Sequence, residues 1–130
     1  MSTRYGFGRT LSLPFADAVV RVTAALSAEG FGVLTDIDVA GTLKKKLDQD
    51  MPPYRILGAC NPALAHRALE VEPAIGLLLP CNVVVRQDAA GIVYVDFMDP
   101  SAVMDLVDKP AIRQLASEVR QKLQRALESL

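Results

Sequence analysis

Eight prolines punctuate the chain. Proline has no amide hydrogen and a locked φ, so it is excluded from helix interiors and central strands but suits the first turn of a helix. The positions of these residues therefore set where elements begin and end. Asn61-Pro62 and Asp99-Pro100 each join a capping side chain to a proline at the first helical position. Pro14 and Pro110 open segments with apolar residues at helical spacing, Met51-Pro52-Pro53 halts a helix and forces an extended chain, and Glu72-Pro73 ends another helix.

Between these marks the apolar pattern gives the element types. Tyr5 to Leu11 reads as a first strand, and Phe15, Ala18, Val19, Val22, Ala25 and Leu26 then recur on one helical face. Gly30 suits the left-handed position that closes a helix, and Phe31 to Ile37 is rich in apolar and β-branched residues. A second helix carries Val39, Leu43 and Leu47, a third strand runs from Tyr54 to Ala59, and the helix after it buries Leu64, Ala65, Ala68 and Leu69. The apolar run from Ala74 to Val85 is expected as one buried strand that pairs with Ile92 to Phe97 through the Asp88-Ala89-Ala90-Gly91 turn. The last helix is striped by Ile112, Leu115, Val119, Leu123, Ala126, Leu127 and Leu130. The expected fold class is α+β, a mixed sheet of about five strands that includes a β-hairpin, with helices packed on it. A length of 130 residues suits a single domain over 1–130 without a linker.

Hydrophobic residues make up 51% of the chain and Trp is missing, so the core must be aliphatic. Fourteen basic residues against fifteen acidic ones leave a net charge of −1, which provides no field to gather phosphates or an anionic membrane surface. Nucleic acid and membrane are therefore not expected as partners. No apolar run approaches the roughly 20 residues of a membrane helix, and the segment from Met1 to Leu13 lacks the pattern of a secretory leader. The expected compartment is the cytoplasm. There Cys60 and Cys81 read as free thiols, because that compartment is kept reducing.

The segment that most suggests chemistry is Gly58-Ala59-Cys60-Asn61-Pro62, which sets a thiol at the junction of a strand and a helix N-terminus. Helix amides favour an anion there, so Cys60 is a candidate nucleophile or redox thiol; the plainer reading is a small buried hydrophobe at a strand end. Cys81 could approach it if the two strands are neighbours, and His66 could accept a proton. The three together would make a soft metal site only at a spacing that matches no recognised ligand pattern, and no metal is expected. Gly30-x-Gly32 precedes its strand, where a dinucleotide fingerprint must follow one. Lys44 to Lys46 are neutralised by Asp48 and Asp50, and Asp38 reads as a helix cap beside Asp36. Nucleophile elbow, P-loop and zincin motifs are missing, and a single His leaves no second one for catalysis.

Three segments carry a resemblance: Gly30-Phe31-Gly32-Val33-Leu34-Thr35-Asp36-Ile37-Asp38-Val39, Pro53-Tyr54-Arg55-Ile56-Leu57-Gly58-Ala59-Cys60-Asn61-Pro62, and Gly76-Leu77-Leu78-Leu79-Pro80-Cys81 with Asp99-Pro100 beyond. In these the chain resembles the bacterial and archaeal family known as domain of unknown function 302, across residues 28–100. The resemblance implies a compact α+β fold and brings no agreed activity or cofactor. It matches Asn61-Pro62 and Pro80 to the family's common core, whereas both cysteine positions vary among branches, which makes thiol chemistry a subfamily feature.

The leading functional expectation is a cytoplasmic domain, more a binder than an enzyme, that takes a small ligand at Cys60, Asn61 and Pro62 or self-associates as a dimer. The alternative is a thiol-dependent redox enzyme or sensor with Cys60 as nucleophile, Cys81 as resolving thiol and His66 as proton acceptor.

Overall fold

The computed structural model describes residues 3–130; Met1 and Ser2, with which the reading of the N-terminus began, lie outside the described residues. The strands are β1 (Gly6–Leu11), β2 (Gly32–Asp38), β3 (Tyr54–Cys60), β4 (Cys81–Gln87) and β5 (Val93–Met98). The α-helices are α1 (Phe15–Ala28), α2 (Val39–Leu47), α3 (Pro62–Val71), α4 (Pro100–Met104) and α5 (Pro110–Glu128). Two 3-10 helices, Pro73–Leu78 and Asp105–Val107, follow α3 and α4.

The strands form one five-stranded sheet in the order β1-β5-β4-β3-β2, and every neighbouring pair is antiparallel. The fold is α+β as expected, but the mixed sheet is corrected. A strand-helix-strand unit is present, yet β1 and β2 occupy opposite edges, so α1 spans the sheet instead of stepping to a parallel neighbour. The apolar run before β4 is corrected too. Pro73–Leu78 winds into a 3-10 helix with only Ile75 buried, and the strand starts at Cys81.

Local chemistry explains the remaining boundaries. The side chains of Asp38, Asn61 and Asp99 accept backbone N–H bonds from Gly41, Leu64 and Ser101 at 2.9, 3.3 and 2.9 Å, satisfying amides that a helix start leaves free. Gly30, at φ +85°, turns the chain out of α1. In the hairpin, Asp88 accepts from Ala90 and Ile92, and Gly91 holds φ +86°.

One face of the sheet is covered. Val83, Val85, Val95 and Phe97 meet Ala18, Val22 and Leu26 of α1 and Leu123 and Ala126 of α5 in the main core. A second, smaller cluster joins Leu64 and Ala68 of α3, Ile75, Met104 of α4, and Ile112, Leu115 and Ala116 of α5. Thus α5, about 28 Å long at 1.5 Å per residue, serves the main core with its C-terminal half and the second cluster with its N-terminal half. On the other face Tyr54, Ile56, Val84, Arg86, Tyr94 and Asp96 are half-buried and belong to neither cluster.

Candidate functional site

Where β3 ends and β4 begins, the sheet stops short of α3 and α5 and leaves a cavity of about 400 Å³. Ala59 and Cys81, paired across β3 and β4, form its floor; Leu64, Ala65 and Ala68 of α3 form one wall, and Ile112, Leu115 and Ala116 of α5 another. Leu34 and Leu69 also line it while 68% and 44% exposed, so it opens to the surface between β2 and α3. Leu34 occupies the register shift between Val33 and Thr35, a bulge that turns this side chain out of the ladder.

Polar ties at the periphery hold α3 over the opening. Lys109 Nζ lies 2.8 Å from Glu72 and donates to the Val71 carbonyl at 3.2 Å, and Arg67 lies 3.3 Å from Glu118. These join the C-terminal end and the middle of α3 to the start and the middle of α5 without filling the space between the helices.

The cavity is almost wholly apolar; the polar side chains that reach it are Thr35, Cys60, Asn61 and Cys81. Asn61 Oδ1 is committed to the Leu64 amide, and its Nδ2 stands where a Cβ on Gly30 would come to 2.9 Å. Cys60 is half-buried and Cys81 is 5% exposed, and both are free thiols. Burial, with a smaller contribution from the nearby Cys60, pushes the Cys81 thiol up to about 11. At neutral pH Cys81 is thus a protonated, poorly nucleophilic thiol.

The structure brings Cys60, Asn61 and Cys81 to one cavity. Pro62 stands at the first position of α3, behind the capping Asn61, and does not line the space. His66 faces away on α3, 74% exposed, with Nε2 2.7 Å from Glu70. Among the described residues no group of three or more His, Cys, Asp or Glu is arranged to hold a metal ion. Asp36 is engaged by Arg55, whose Nε donates to it at 2.7 Å, and this guanidinium holds the Asp36 carboxyl below its usual range. Lys44 pairs with Asp48 and Asp50 at 2.9 and 3.1 Å. Sequence reasoning missed the α5 and Met104 walls. The available signal was the length of the Ile112-to-Leu130 stripe, longer than a single patch of sheet can cover.

Among the described residues no helix is long and apolar enough to cross a membrane. The family model described as Domain of unknown function DUF302 matches residues 7–130, well beyond the segments that carried the resemblance. The chain is also similar to the crystal structure of an uncharacterized conserved protein DUF302 from Bacillus stearothermophilus, with 28% identity, a TM-score of 0.89, and coverage of 97% of this chain and 98% of that one. No curated protein matches the chain.

Proposed function

The chain belongs to the family described as Domain of unknown function DUF302, and within that family we propose that it is a cytoplasmic small-ligand-binding domain whose ligand is apolar. The observation that carries this reading is the cavity of about 400 Å³ between α3 and α5, walled by Leu, Ile, Ala and Met side chains. Far smaller apolar cavities, on the order of 150 Å³, stay dry and take up benzene or xenon, and pockets of 300–1,000 Å³ are typical of small-molecule sites. The sequence pointed to an anionic group at the start of α3. The apolar walls favour a hydrocarbon body instead, with Asn61 at its rim.

Native mass spectrometry of freshly purified protein, followed by thermal unfolding with 1-octanol, tests the reading. A non-covalent mass excess, or a rise in Tm that grows with octanol as mass action requires, is expected; occupancy at a hundred times Kd is worth about 2.7 kcal/mol. A clean apo mass with a Tm indifferent to octanol overturns it.

Self-association as a homodimer is proposed separately, for the uncovered sheet face, with a second copy as the occupant. Arg86 lies 4.2 Å from the Tyr94 ring centroid and 3.9 Å from Asp96. A two-fold axis would set each copy's Arg86 against the other's Asp96 over Tyr54 and Val84. Light scattering on the wild type and on Val84→Lys decides it. A dimer lost in the variant supports the proposal, and a wild-type monomer at micromolar concentration ends it.

A further inference from the structure

Two thiol-bearing residues, Cys60 and Cys81, line the cavity beside Thr35 and Asn61. Cys81 is 5% exposed, lines the space, and its thiol has no hydrogen-bond partner among the described residues. A buried thiol without a partner at the edge of a void is open to contact by an occupant of that void. Cys60 stands at the end of β3, half-buried, on the same void. Cys60 is the more accessible of the two thiols, half-buried where Cys81 is buried, and is the nucleophile the cavity offers.

Surroundings decide what such a sulfur can do. Acyl transfer needs a place for a leaving group and a general acid or base, and His66, the chain's one histidine, lies outside with Glu70. Disulfide chemistry needs an oxidant. Conjugate addition has no leaving group and no change of redox state, and it needs only that an apolar body be held while its electrophilic carbon meets the thiolate.

We propose that the cavity captures medium-chain α,β-unsaturated carbonyl compounds, alkenals and enones, as covalent adducts on Cys60. This rests on the apolar-ligand reading above. The Cys60 thiolate sulfur forms a bond to the β-carbon, and the C=C π pair moves to the α-carbon. That carbon takes a proton from water, replacing the one released when the thiol ionised. One C–S and one C–H bond form, one C=C π bond is lost, no electrons are exchanged, and the protein gains the full mass of the ligand. The hydrocarbon tail occupies the space between Ala68 and Ala116.

The experiment compares trans-2-octenal with iodoacetamide by intact mass over time, using glutathione as the reference thiol. Expected are a single octenal adduct on Cys60, formed about tenfold or more faster than on glutathione because the tail is pre-positioned, and no comparable advantage for iodoacetamide. Cys60→Ser loses the adduct, and Ala116→Leu slows octenal but not iodoacetamide. Addition first at Cys81 or lysines, a rate no better than glutathione's, or a Cys60 to Cys81 disulfide in place of the adduct overturns the proposal. Thermal unfolding of Cys60→Ser with saturated 1-octanol separates the two readings. A shift there, with no selective octenal addition to the wild type, sinks covalent capture alone, and no shift with 1-octanol in either protein sinks the cavity reading with it.

Discussion

Burial lifts the Cys81 thiol from 9.0 to about 11, and linkage turns this into a dependence of stability on pH. A group whose folded pKa is raised contributes nothing to the slope below its unfolded value. Above it the unfolded chain ionises first, so stability falls until the folded value is passed. The loss attributable to Cys81 should be about 2–3 kcal/mol between pH 9 and pH 11. It is measured as the difference between urea unfolding of the wild type and of Cys81→Ala across that window; parallel pH profiles would show that the burial is not felt. A second residue-scale prediction concerns Gly30 and Gly91, which share φ values of +85° and +86°. An added Cβ at Gly91 meets nothing within 4 Å, whereas at Gly30 it comes to 2.9 Å from Asn61 Nδ2. Gly91→Ala should cost about 1 kcal/mol from backbone conformation. Gly30→Ala should cost measurably more, because Asn61 must move and loosen its cap on α3, and equal costs in thermal unfolding would count against that coupling.

Elements differ in how firmly they are held. α2 buries no residue completely, and β2, an edge strand, is exposed over most of its length. This arm depends on the Asp38 cap, the Arg55 to Asp36 ion pair and its ladder to β3, and pairs this exposed are worth little. Native-state hydrogen exchange should find the α2 amides opening well before those of β4 and β5; protection of α2 equal to that of Val83 or Val95 would refute the expectation. The helix starts and the hairpin were legible in the sequence because their causes are local. Asn61, Asp99, Pro62 and Pro100 act on amides within a turn, and Asp88 with Gly91 closes its own loop. Strand order was not legible, since nothing near Gly6 says that its partner is Met98. Ala74 to Leu78 misled because a short apolar run has no decisive period. Of the candidate site, Cys60 and Asn61 were legible as types at a strand-helix junction, and Cys81 only as a thiol on a strand that could neighbour it. Their common cavity was not, because one of its walls comes from residues 104–119, far along the chain.

At the scale of the molecule, the two hydrophobic clusters call for opposite responses to one substitution. Ala126 is 1% exposed in the main core and Ala116 is 3% exposed on the cavity wall. Enlarging a residue in a filled core costs about 1–3 kcal/mol, whereas filling a void commonly adds about 0.5–2 kcal/mol. Ala126→Leu should therefore destabilise and Ala116→Leu should be neutral or stabilising, as read from denaturant midpoints; a similar loss in both would mean that the void closes in solution. The pairing of β1 with β5 acts on a different clock. Their partnered residues lie about ninety positions apart, so a ribosome making this chain completes Phe7 and Leu11 long before it makes Phe97 and Val93. For most of synthesis the first strand has no neighbour, and the sheet can close only once residue 98 has left the exit tunnel. Nascent chains arrested earlier should remain open to protease along β1, so the edge strand made first is among the last pieces to find its place.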